Sequence, residues 1–142
     1  MNWKRILLGG VVAGILLNIT ELATAVLLRE QYLTAMRALG HEAAVGGLAL
    51  LAGLLITCGI GIFAIWLYAA IRPRYGPGIK TAVIAGGATW LIQGSSNLRY
   101  LTLGLFPPNL VLAAGGIALV EFLFATLLGS WLYRETPRTA LG

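Results

Sequence analysis

Four long apolar stretches dominate this sequence and limit what it can fold into. They run approximately over residues 6–28, 44–71, 79–103 and 110–133. A helix needs about 20 apolar residues to cross the hydrocarbon core of a bilayer, and each stretch is long enough. None alternates polar and apolar residues as the strands of a membrane barrel do. The sequence therefore predicts an all-α protein, an integral membrane four-helix bundle, with residues 1–142 forming a single transmembrane domain.

The composition excludes several other classes of protein. Only 11% of the residues are charged, against about 25% in soluble domains, which excludes an ordinary water-soluble globule. The net charge is +5, but the basic residues are scattered between apolar stretches, so we expect membrane lipids as partners and no nucleic acid. One His, one Cys and no Asp leave no bis-His haem, no internal disulfide and no Ser-His-Asp triad. We therefore expect no enzyme activity, no metal and no cofactor.

Proline and glycine mark the connections between the stretches. Residues 72–78, Arg-Pro-Arg-Tyr-Gly-Pro-Gly, are predicted to stop the second helix at once, because prolines lack the N–H donor. Residues 106–109 form a second stop, and Asn109 is the expected cap of the next helix. Residues 29–42 carry apolar side chains at helical spacing. They predict an interfacial segment, an extension of the first helix, that lies on the membrane surface and ends near Gly40.

The basic residues predict an orientation. Seven of the ten Lys and Arg residues fall on the side where the first stretch begins, which places both termini in the cytoplasm. These seven are Lys4, Arg5, Arg72, Arg74, Lys80, Arg134 and Arg138. An alternative is that residues 1–25 form a cleaved signal peptide, because a basic start, an apolar run and Ala23-Thr24-Ala25 fit that pattern.

A weak internal repeat suggests two duplicated helical hairpins. Trp-Leu-Tyr occurs at residues 66–68 and again at 131–133, each time followed by Arg and Pro, and Gly-Gly occurs at residues 9–10 and 86–87. Two hairpins in the same orientation would be related by an axis along the membrane normal. The alternative is coincidence, because interfacial aromatic residues recur in any membrane protein.

Polar residues interrupt the apolar stretches at similar depths. Three of them lie 13 residues from a basic residue at the same boundary, which at 1.5 Å per residue is ~20 Å: Asn18, Gln93 and Glu121. Four more lie ~23–29 Å from that boundary: Thr57, Glu21, Asn97 and Arg99. Most share their helix face with small residues, which let membrane helices approach closely. The sequence therefore predicts one polar layer inside the bundle.

Two interpretations of this layer stay open. Its side chains either hold the helices together through hydrogen bonds, at about 0.6 kcal/mol each, or line a cavity that binds or transports a small solute, proton or lipid-like ligand. In the second case Glu21 and Glu121 carry the charge, the three amides orient the ligand, and Arg99 is a gate or counter-ion. In the first case the protein is an accessory or assembly subunit of a larger membrane complex. Its small-residue helix faces would then contact the complex or a second copy.

Two resemblances add to this interpretation. Residues 66–78 and the opening Asn-Trp-Lys-Arg, followed by Gly-Gly at residues 9–10, resemble a group of small bacterial four-span proteins to which no activity is assigned. That resemblance covers most of the chain and implies four spans in the bacterial inner membrane. The size of the chain and Glu21 in its first stretch also resemble, in architecture only, the small multidrug resistance transporters. The sequence departs from that second pattern at Glu121, at residues 29–42 and at residues 72–78.

Overall fold

The computed structural model describes residues 1–40 and 46–133, and over these residues the protein is helical without strands. The described helices are α1 (Trp3–Leu27), α2 (Arg29–Ala38), α3 (Gly47–Tyr75), α4 (Ile79–Thr102) and α5 (Pro108–Leu132). Three of them, α1, α3 and α5, are long and apolar enough to cross a membrane. The described part of the chain is therefore that of a helical membrane protein. The 24-residue α4 is more polar and is not one of these three.

The predicted stretches correspond to α1, α3, α4 and α5, with ends displaced by a few residues. The prediction that residues 29–42 extend the first helix is wrong, because α1 ends at Leu27 and this segment contains the separate helix α2, which ends at Ala38. Gly40 follows it with φ +73°, the left-handed conformation in which glycine commonly ends a helix, so that predicted stop is confirmed. Residues 41–45, which include the predicted start of the second stretch, and residues 134–142 lie outside the described part of the chain.

The predicted stop at residues 72–78 is wrong in its position, because α3 continues through Pro73 to Tyr75. Pro73 has no N–H to donate to the carbonyl oxygen four residues earlier, and α3 continues for only two residues beyond it. Gly76 follows the last helical residue. It has φ +82° and donates its N–H to the Arg72 carbonyl oxygen at 2.9 Å.

The predicted cap of the last helix is also wrong. Asn109 is already inside α5, which begins at Pro108, and Pro107 occupies the cap position without a side-chain hydrogen bond. The fixed φ of proline suits the first helical position, where an N–H would have no helical partner. This preference explains why the start of the helix lies before Asn109.

The four long helices pack side by side. The most extensive contacts join α1 to α3 and α4 to α5, and contacts of α1 with α5 and of α3 with α4 complete the arrangement. A Cβ atom at Gly61 would lie 2.6 Å from both the Gly10 carbonyl oxygen and the Gly14 Cα, so glycine is what allows α1 and α3 to approach. A duplication of the two hairpins stays a prediction.

Burial is concentrated in one half of the bundle. We call the end that carries Lys4, Arg5, Arg72, Arg74 and Lys80 the basic end. From that end, buried residues extend as far as Leu17 in α1, Thr57 in α3, Thr89 in α4 and Glu121 in α5. Beyond these points the four helices contain one buried residue, Leu110, and every residue from 46 to 56 is exposed. We call the two parts the packed half and the open half.

A small second cluster lies at the far end of the open half. Leu28 and Ala35 pack there with Leu110 at the start of α5. The Tyr32 ring meets the Phe106 ring edge to face at 6.0 Å. The helix α2 therefore lies across the start of α5 and the connection that precedes it.

Candidate functional site

The two predicted carboxylates lie where the packed half meets the open half. Glu121 is only 9% exposed, and its Oε1 accepts a hydrogen bond from Thr24 Oγ1 at 2.6 Å. Glu21 is exposed at the surface of the chain, and its Oε2 accepts a hydrogen bond from Thr57 Oγ1 at 3.0 Å. Thr24 lies one helical turn after Glu21, so both face the same side of α1. This helix therefore links the polar groups of α3 and α5.

No basic side chain among residues 1–40 and 46–133 pairs with either acid. The ion pair found in this part of the chain joins Arg29 to Glu30 at 3.4 Å, and both side chains are exposed. Thr24, which donates to Glu121, lies one helical turn after Glu21, so the two carboxylates are neighbours along α1. An ionised carboxylate offers about four acceptor positions, and each hydroxyl fills one. The pair therefore keeps the capacity to hold a proton, a cation or further hydrogen-bond donors.

Asn18 lies beside this pair but hydrogen-bonds to backbone. Its Nδ2 donates to the carbonyl oxygens of Gly14 at 2.8 Å and Leu54 at 3.3 Å. It also lies 3.5 Å from Cys58 Sγ. The amide thus ties α1 to α3 one turn before Glu21.

The three predicted α4 residues line the open half. Gln93 and Arg99 are exposed, and Asn97 is half-buried. None of these side chains hydrogen-bonds another residue in the described ranges. The structure therefore brings Asn18, Glu21, Thr57 and Glu121 together and leaves the α4 residues apart from them.

Two residues near the acids were missing from the predicted site. Thr24 shares a face with Glu21 at helical spacing, so the sequence did contain its signal. Tyr32 lies on α2, where partial burial and then the negative charge of Glu21 raise the pKa of its phenol above the usual value of 10.0. The break between α1 and α2 hides that proximity from any argument based on helical spacing.

Two cavities lie away from the acids. One of about 860 Å³ lies between α2 and the α4–α5 connection, and one of about 530 Å³ lies at the basic end. Within residues 1–40 and 46–133, no three His, Cys, Asp or Glu side chains are grouped so that they could hold a metal ion.

The chain matches no protein-family model, no curated protein and no solved structure. The acids and their hydroxyl partners provide the most specific chemistry in the described part of the chain.

Proposed function

We propose that this protein is a four-span membrane protein in which Glu21 and Glu121 together bind a proton or a small cation. The observation that carries the proposal is a pair of neighbouring carboxylates held by hydroxyls, with no basic partner among the described residues. An isolated carboxylate in an apolar environment is strongly disfavoured, and intramembrane acids mark ion and proton sites by default. Uptake of a proton or cation relieves that penalty.

The different exposure of the two acids suggests how a ligand reaches them. Glu21 is exposed and borders the open half, whereas Glu121 is buried and is hydrogen-bonded to Thr24. The exposed Glu21 would therefore be the first of the two acids to meet a cation. The packed half closes the other side, so passage across the membrane would require that half to separate.

The proposal includes α4 as the fourth span. Its buried residues, from Thr81 to Thr89, pack in the bundle, and Trp90 Nε1 donates to the Gly115 carbonyl oxygen of α5 at 2.9 Å. Its apolar residues Ile79 and Leu91 are 72% and 63% exposed, as lipid contact would require. The excess of basic residues favours a cytoplasmic basic end. The bacterial inner membrane is the location that the first resemblance implies.

The test replaces the acids by amides of the same shape. We expect the thermal stability of the reconstituted protein to respond to pH and to added sodium or potassium chloride, and Glu21→Gln combined with Glu121→Gln to abolish that response. Glu30→Gln is the matched control, because Glu30 is exposed and paired with Arg29, and it should behave as wild type. A folded double variant with the wild-type response, or a wild type with no response, contradicts the proposal.

A second candidate, a subunit of a larger membrane assembly, is favoured by the start of α3. Residues 46–56 are all exposed, and a Cβ atom at Gly53 would meet nothing within 4 Å. Small residues of this kind pack against other membrane helices. Under this hypothesis another chain or a second copy covers the open half.

The two candidates predict different effects of Gly53→Leu. A subunit would lose co-purifying chains or change its oligomeric mass by native mass spectrometry in this variant. A cation-binding protein would keep its mass and its response to cations. Glu21→Gln and Glu121→Gln, in contrast, should leave the co-purifying chains and the mass of a subunit unchanged. In a cation-binding protein they should remove the response to cations.

A further inference from the structure

A groove at the basic end has apolar walls that are open to the surroundings. The cavity of about 530 Å³ lies between the end of α3, the start of α4 and the end of α5. Ile79, Phe124 and Trp131 line it and are 72%, 64% and 82% exposed. Leu127 and Leu128 complete the apolar wall. In a bilayer this wall would face acyl chains.

Polar groups line the same groove at the helix ends. Arg72 belongs to the lining, and its Cζ lies 5.6 Å from the centre of the Tyr133 ring. The Gly78 N–H donates to the Tyr68 hydroxyl at 3.3 Å. The half-buried Arg72 therefore lines the same groove as the apolar wall, and a guanidinium group has planar donors that suit a phosphate group.

The charge at this end is of one sign among the described residues. Arg74 and Lys80 follow Arg72 in the same connection, and Lys4 and Arg5 begin α1. The carboxylates in the described ranges, Glu21, Glu30 and Glu121, lie at the boundary or in the open half. A negatively charged headgroup is thus complementary to this surface.

We propose that this groove is a binding site for an anionic phospholipid. The phosphate lies at Arg72, with Lys80 directly after the groove-lining Ile79 in sequence, and one acyl chain lies along the wall formed by Ile79, Phe124 and Leu128. Free phosphate would use the charge but leave the apolar wall uncovered, whereas a neutral lipid would use the wall but not the charge. Trp131 stands at the depth where aromatic residues contact headgroups.

The test measures which lipids the full chain retains in native mass spectrometry. The probes are phosphatidylglycerol and phosphatidylcholine with identical acyl chains. We expect wild type to prefer phosphatidylglycerol, and Arg72→Gln and Lys80→Gln each to reduce that preference about fivefold. Arg99→Gln is the matched control, because it removes an exposed arginine from the open half, and it should leave the preference unchanged.

A second variant keeps every charge and fills the groove. Leu128 is 44% exposed, so Leu128→Trp should fold and should lower the retention of phosphatidylglycerol. Equal retention of the two lipids by wild type overturns the proposal, as does unchanged retention in Leu128→Trp. Displacement of the lipid by inorganic phosphate would also overturn it. Glu21→Gln should not alter lipid retention, so this site and the acid pair are tested separately.

Discussion

At the residue scale, Glu121 depends on a single hydroxyl partner from another helix. The Thr24 hydroxyl donates to this buried carboxylate at 2.6 Å. We expect Thr24→Val to lower the free energy of unfolding by about 1–3 kcal/mol, because it leaves a buried acceptor without its donor. Chemical or thermal unfolding in detergent provides the measurement.

Thr20→Val is the matched control for that variant. Thr20 lies on the same helix, but its hydroxyl donates to the carbonyl oxygen of Leu16 within α1 at 3.1 Å, and no interhelical bond is lost. Similar destabilisation by the two substitutions would show that the contact between Thr24 and Glu121 does not stabilise the bundle.

Tyr32 gives a pH-dependent prediction. Burial and then the charge of Glu21 raise the pKa of its phenol, so the folded state favours the neutral phenol. Its contribution to stability is complete below pH 10.0 and is lost as the pH rises through the higher folded pKa. Tyrosinate absorbance, taken as the difference between wild type and Tyr32→Phe, measures this titration. In Glu21→Gln the pKa of Tyr32 should fall, but it should stay above its usual value because burial still raises it. A pKa equal to that of wild type would contradict the proximity of Glu21 and Tyr32.

At the element scale, two glycines on one face of α3 have opposite environments. A Cβ atom at Gly61 would lie 2.6 Å from α1 backbone, whereas one at Gly53 would meet nothing within 4 Å. We expect Gly61→Ala to separate α1 from α3 and destabilise the protein. Gly53→Ala should be neutral or stabilising by up to about 1 kcal/mol, because alanine favours the helix. Thermal unfolding of both variants is the measurement, and equal losses would contradict the packing described for α3.

Helical spacing predicted the elements better than it predicted their contacts. It placed small residues, Glu21 and Thr57 on facing sides of α1 and α3, and the structure joins those two side chains. The same argument placed Gln93 and Asn97 of α4 in the layer, yet they do not join it, because depth along a helix says nothing about the distance between helices. The positions of Pro73 and Pro107 at helix ends depended on local backbone chemistry that a general rule about prolines misses.

At the scale of the whole molecule, the surroundings of the polar residues of α4 depend on whether this helix crosses the membrane. A bundle with four spans exposes Lys80 and Thr102 on opposite sides of the membrane. We expect Lys80→Cys and Thr102→Cys, each in a Cys58→Ser background, to react with a membrane-impermeant thiol reagent from opposite sides of sealed vesicles. Reaction of both from the same side would show that α4 does not cross.

The packed half joins the beginning of α1 to the end of α5. The backbone N–H of Asn2 donates to the Tyr133 hydroxyl at 3.4 Å, and a Cβ atom at Gly129 would lie 2.6 Å from the Gly9 carbonyl oxygen. During translation the first helix is therefore inserted long before the surface that covers it has been synthesised. Until α5 leaves the ribosome, the side of α1 that carries Gly9 must remain against lipid or against the insertion machinery.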